Sequence, residues 1–230
     1  MTGSLTERYQ TVLDRIKRAT EQAGRHAHSV QLLAVSKTKP IEAIEQIAQQ
    51  GQTAFGENYV QEALQKIAQH PDLEWHFIGP IQSNKTKPIA EHFQWVHSVD
   101  RLKIAQRLSA QRPESLGPLN ILLEVNVSNE PSKSGFTEEE LFAAAHEIAH
   151  LPNLKLRGLM AIPQIATQFE EQRKPFAQMR RLLSQLQNQL PDCQIDTLSM
   201  GMSGDLEAAI MEGATMVRIG TDIFGQREKR

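Results

Sequence analysis

The feature that most constrains the fold of this chain is an alternation. Short apolar runs at 31–36, 52–56, 74–79, 94–98, 119–127, 154–161, 196–200 and 215–220 are separated by segments of helical periodicity near 40–50, 58–68, 84–91, 101–111, 138–150, 169–189 and 204–213. A short apolar run bounded by turn signals reads as a strand covered on both faces, as parallel sheets require. Eight such strands alternating with helices predict an α/β fold of one kind, the closed (β/α)8 TIM barrel. Such barrels are usually about 250 residues long, and this chain has 230. The rival is an open doubly wound sheet, whose Gly-x-Gly-x-x-Gly fingerprint occurs nowhere in the sequence. No repeat or low-complexity linker interrupts the pattern, so residues 1–230 read as a single domain.

An extra helix precedes the first strand. Leu5, Tyr9, Val12, Leu13, Ile16, Ala19 and Ala23 form its apolar stripe, Ser4 and Glu7 a capping box, and Gly24 its stop. Pro40 suits a first helical position, Asp100 an N-cap, and Thr137 with Glu140 a second capping box.

Composition narrows the function. With 40% hydrophobic and 23% charged residues and a net charge of −2, the chain has the balance of a soluble globular protein and no basic footprint for nucleic acid. No apolar run approaches a membrane span, and Met1–Arg25 is too polar for a signal peptide. Cys193 is the only cysteine, which excludes an internal disulfide and a multi-cysteine metal site. A cytoplasmic location is expected, and Arg227–Arg230 reads as a solvated tail.

The chemistry gathers at the carboxyl ends of the expected strands, where barrels carry their ligands. Leu32-Leu33-Ala34-Val35-Ser36 runs into Lys37. A lysine against apolar walls is a better nucleophile and condenses with aldehydes to a Schiff base. The plain alternative is a lysine snorkelling to solvent. Asn58, after Phe55-Gly56-Glu57, is either an N-cap of the next helix or an amide aimed at a ligand held by Lys37. The polar loops Gly79–Lys85 and Asn126–Gly135 follow the third and fifth strands. Leu198-Ser199-Met200-Gly201-Met202-Ser203-Gly204 and Val217-Arg218-Ile219-Gly220-Thr221 end the seventh and eighth in small-residue turns. Backbone N–H groups in such turns, with a helix N-terminus behind them, can receive a phosphate. Each is also compatible with an ordinary βα turn. Together with Lys37 they point to a phosphorylated aldehyde.

His146-Glu147-Ile148-Ala149-His150 matches the two-histidine metalloprotease pattern. With Leu141, Ala144 and Ile148 on the buried face, both histidines fall on the outer surface, so the match reads as chance and no metal is expected.

The sequence resembles the YggS/PROSC family of pyridoxal phosphate homeostasis proteins. The resemblance rests on Leu33–Thr38, Phe55–Glu62, His76–Lys85, Ser132–Gly135, Arg157–Pro163, Leu198–Ser203 and Val217–Thr221, and spans nearly the whole chain. It implies a monomeric barrel of the alanine-racemase type binding pyridoxal 5′-phosphate (PLP) as an internal aldimine on Lys37. It further implies that Ser203, Gly204, Gly220 and Thr221 hold the phosphate, that Arg218 faces the pyridine nitrogen, and that Asn58 and Met160 flank the ring. Met160 could equally be core filling. A guanidinium donates but does not accept protons, so it leaves the ring a weak electron sink. Racemases of this fold compensate with a tyrosine from a second domain. This chain has only Tyr9 and Tyr59, neither an obvious acid, so the resemblance implies PLP buffering and delivery, with apo-PLP enzymes as partners. The alternatives are a PLP-dependent racemase-like enzyme and a Schiff-base aldolase without PLP.

Overall fold

The computed structural model describes residues 3–226; the Arg227–Arg230 tail lies outside them. Eight parallel strands close into a barrel in sequence order: β1 (Gln31–Val35), β2 (Ala54–Glu57), β3 (Glu74–Phe77), β4 (Trp95–Val99), β5 (Leu119–Glu124), β6 (Leu154–Met160), β7 (Thr197–Ser199) and β8 (Met216–Ile219). The last strand pairs with the first, Leu32 opposite Val217 and Ala34 opposite Ile219. The expected TIM barrel is the fold observed. Helices α2 (Ile41–Gln49), α3 (Val60–Gln69), α4 (Thr86–His92), α5 (Leu102–Gln111), α6 (Glu138–Ala149), α7 (Phe169–Gln189) and α8 (Leu206–Met211) connect the strands.

Strand periodicity divides the core in two. Alternate strand residues (Leu32, Ala34, Phe55, Trp75, Phe77, Ile121, Leu123, Leu198, Val217, Ile219) pack outward against the helices in one large cluster. The others point inward and form two smaller clusters, Leu33–Ala54–Met216 with Ile78, and Trp95–Leu122–Met160. The remaining interior is polar: His76, His97, Ser199 and Arg218 are all buried.

Helix α1 (Leu5–Gln22) has both halves of the Ser4/Glu7 capping box and ends before Gly24, which is left-handed at φ 67°. It packs on α8 and on a four-residue helix α9 (Thr221–Phe224) that periodicity cannot register, being barely one turn. Thr137 caps α6 by accepting from the Glu140 N–H, while Pro40 sits one residue earlier than expected, as the cap of α2.

Three local expectations are corrected. Asp100 does not cap α5: Arg101 holds the cap position, and the Asp100 carboxylate instead pairs with the Arg101 guanidinium at 3.3 Å. Asn58 does not cap α3, which starts two residues later behind Tyr59. On α6 the buried positions are Leu141, Ala145 and Ile148, with Ala144 half-buried. His146 and His150 are exposed, and no group of three or more metal-ligating side chains occurs among the described residues. None of the helices described is long and apolar enough to cross a membrane.

Candidate functional site

At the barrel mouth, Lys37 lies just past β1. The Ser36 N–H donates to the Gly56 carbonyl at 3.0 Å and so extends the ladder to the residue before it. The next residue, Thr38, has φ 66°, which is strained for a β-branched side chain. Its N–H is fixed by the Glu62 carboxylate at 2.6 Å. A buried ionic network fixes the other side. Lys66 Nζ donates to the Ser36 carbonyl at 2.8 Å, to both Glu57 oxygens at 3.1 Å and to Glu62 at 2.9 Å, and the Ser36 hydroxyl donates to Glu57. Burial pushes the Glu57 carboxyl up, and Lys66 opposes that shift. Both neighbours of Lys37 are therefore held by the same charged cluster.

Asn58 follows β2. Its Oδ1 is buried without a hydrogen-bond partner, an arrangement that costs stability unless something fills it. Gly79 explains the tight approach here, since a Cβ on it would lie 2.4 Å from the Asn58 carbonyl oxygen. Met160 ends β6, fully buried against Trp95 and Leu122. Beside it, Arg218 donates to Ser199 Oγ at 2.6 Å and to the Ala161 carbonyl at 3.1 Å. Burial lowers its pKa to about 10, and Asp205 and Glu124 partly offset the loss, so it remains a cation at neutral pH. Two of its five N–H donors are used in these bonds, which leaves others for a ligand.

Ser203 and Gly204 lie between β7 and α8, and Gly220 and Thr221 follow β8. The backbone N–H groups of Ser203, Gly204 and Gly220 have no acceptor among the described residues. Gly220 packs against β1, a Cβ there lying 3.2 Å from the Val35 carbonyl oxygen, so this turn and Lys37 share one corner of the mouth. The helices behind these turns have only six and four residues, too short for the dipole expected from the sequence. The turns' own N–H groups are what remains for an anion.

Sequence reasoning missed several residues. Arg15 of α1 makes a bidentate pair with Glu207, reaches Asp222 at 3.2 Å and donates to the Ser203 carbonyl at 2.7 Å. It thereby ties together the turns after β7 and β8. His76, His97 and Ser199 also escaped, although strand alternation alone puts His76 in register with the inward Ile78 and His97 with the inward Trp95. Tyr9, considered above as an acid, donates its hydroxyl to Gln52 at 2.9 Å, and Tyr59 stands half exposed on the rim.

The buried histidines carry a pH dependence. Burial lowers the pKa of His76 against the opposing pull of Glu74, and lowers that of His97 further with help from His76 and Arg218. A group held neutral by folding stabilises above its unfolded pKa, about 6.5, and loses that contribution as pH falls. Unfolding free energy is expected to drop below that pH by up to about 1.4 kcal/mol per pH unit for each histidine. Denaturant titrations between neutral pH and acid check this. A flat profile would mean that the imidazoles are already charged or solvated.

The alanine racemase N-terminal domain model matches residues 12–228. A pyridoxal phosphate homeostasis protein of Pseudomonas aeruginosa is 59% identical over 98% of this chain and 97% of its own. One of Vibrio alginolyticus is 56% identical over 98% and 99%. The chain belongs to the pyridoxal phosphate homeostasis protein family. Among solved structures, this family member resembles PipY of Synechococcus elongatus with PLP bound, at 39% identity and a TM-score of 0.80, covering 91% of this chain and 99% of that one.

Proposed function

We propose that this homeostasis-family protein binds PLP at the barrel mouth and serves as a buffer and donor of it in the cytoplasm, acting as a monomer. Lys37 is the covalent anchor for the aldehyde. The N–H groups of the turns at Ser203–Gly204 and Gly220–Thr221 receive the phosphate, Arg218 faces the pyridine nitrogen, and Asn58 and Met160 lie against the ring. The residues fit such a ligand, because unpaired backbone donors, a buried amide oxygen without a partner and a guanidinium with spare N–H groups all occur at one mouth.

When bound, PLP supplies an electron sink whose strength depends on protonation of its ring nitrogen. The observation that carries the homeostasis reading is Arg218, a buried cation that donates but cannot take up a proton. Facing the ring nitrogen, it would leave that nitrogen unprotonated, a weak electron sink that favours holding over carbanion chemistry where no tyrosine acid compensates. The racemase reading needs an acid opposite Lys37, and the Tyr9 hydroxyl is already committed to Gln52.

The test is an absorbance spectrum of the purified protein before and after borohydride, with peptide mapping and a transfer assay. Reduced PLP on the Lys37 peptide and reactivation of an apo-PLP enzyme are expected. A colourless protein that takes up no PLP would sink the proposal. Racemisation of any amino acid across a broad panel, lost in Lys37→Ala, would replace it with the enzyme.

A further inference from the structure

A line of hydrogen bonds crosses the barrel interior from one face to the other. It starts at Glu74, the first residue of β3 on the amino-terminal face, whose side chain is about 40% exposed. Glu74 Oε1 lies 2.6 Å from His76 Nε2, His76 Nδ1 lies 2.8 Å from His97 Nε2, and His97 Nδ1 lies 2.8 Å from Ser199 Oγ. Ser199 Oγ in turn accepts from Arg218. The line passes from β3 to β4, crosses to β7, and ends on β8 just below the mouth. Trp95 covers it, stacked on His76 with the ring planes 4° apart.

The chemistry of the two ends fixes the direction of every bond between them. A guanidinium only donates and a carboxylate only accepts. The hydrogen bond from His76 holds the Glu74 carboxyl below the usual range, so this end is an anion at neutral pH. With both imidazoles neutral, Glu74 requires the hydrogen of His76 on Nε2. His76 Nδ1 is then an acceptor, so His97 must donate from Nε2. His97 Nδ1 must therefore accept, and the Ser199 hydroxyl gives it its hydrogen while receiving one from Arg218. The reverse order is closed, because it asks the carboxylate to donate. Each member uses its one donor and is left with no choice of tautomer or rotor.

We propose that Ser199, His97, His76 and Glu74 form a positioning relay for Arg218, holding its guanidinium in the single orientation that presents its free N–H groups to the pyridine nitrogen. This rests on the PLP-carrier reading above. The residues touch no ligand themselves. They act through Arg218, whose guanidinium makes one other hydrogen bond among the described residues, the longer one to the Ala161 carbonyl. Cutting the relay at Ser199 leaves the guanidinium with the Ala161 carbonyl as its one hydrogen-bond acceptor among the described residues, so its orientation about its last torsions is held less tightly.

The experiment has two arms. In the PLP-free protein, nitrogen-15 NMR of labelled histidines should find His76 and His97 neutral at pH 7, both protonated at Nε2. In a PLP titration, Ser199→Ala should weaken binding by about tenfold or more, as expected for loss of a hydrogen bond to a charged group. The pH midpoint of the visible band should also rise, because a displaced cation no longer opposes protonation near the ring. The PLP-free variant should keep its fold with a reduced unfolding stability, since the buried His97 Nδ1 and one Arg218 N–H lose their partner, whereas a loss of stability alone would not move the midpoint of the band. The relay is overturned if His97 carries its hydrogen on Nδ1, or if Ser199→Ala leaves both affinity and midpoint unchanged. Wild-type protein that takes up no PLP overturns the carrier reading and this role with it. The NMR arm, needing no PLP, tells the two failures apart.

Discussion

Lys37→Ala is expected to lose covalent retention of PLP altogether. The visible band of the wild-type protein, near ~420 nm for a lysine-bound cofactor, should be absent, and gel filtration should strip the variant of colour. The turns at Ser203–Gly204 and Gly220–Thr221 proposed for the phosphate, and Arg218, are untouched by this change, so weak non-covalent binding should survive and be measurable by calorimetry. The protein should remain folded, because Lys37 lies in the turn beyond β1 and contributes nothing to the core clusters. A band of undiminished intensity in Lys37→Ala would mean that another lysine is the anchor. The chemistry would then have to be sought elsewhere on the barrel.

Lys66→Met should be the most damaging single substitution for stability. Lys66 is buried, and Glu57 beside it is fully enclosed. Removing one partner strands the other as an uncompensated buried charge, at a cost of about 3–5 kcal/mol. The carboxyl pKa of Glu57, already raised by burial, should climb further without the ammonium. An acid whose folded pKa lies above its unfolded one stabilises fully below the unfolded value and loses that contribution as pH rises. The variant should thus recover part of its deficit on acidification and be weakest in alkali. Lys66→Met combined with Glu57→Gln should recover more of it at neutral pH. Urea titrations of the three proteins at two pH values decide the matter, and equal stability throughout would show that the pair is solvated. Because the same lysine holds the Ser36 carbonyl, PLP affinity should fall in Lys66→Met as well.

The barrel was legible because apolar periodicity is a local property. Runs such as Leu32–Val35 and Ile121–Glu124 announce doubly covered strands without reference to anything distant. Four of the eight strand starts fall as expected and the other boundaries differ by one to three residues, where turn residues such as Val125 pair in an isolated bridge with Phe136 rather than in a ladder. What a linear reading cannot reach is pairing across the interior. His97 and Ser199 are 102 positions apart and meet only because β4 and β7 face each other across the closed sheet. Arg15 is hidden for the same reason, its partner Glu207 being 192 residues away. Asn58 was open to two readings, and the start of α3 two residues later, with its amide oxygen left bare, excludes the cap.

The sheet closes by joining its first strand to its last, and the opening helix lies across both of the final turns. During synthesis these partners emerge at opposite ends of translation. At about 5–20 residues per second, residues near 215 leave the ribosome roughly 10–40 s after those near 15. Until then the barrel lacks its closing strand and the turn after it, so the mouth that holds Lys37 is complete only when the polypeptide is almost finished.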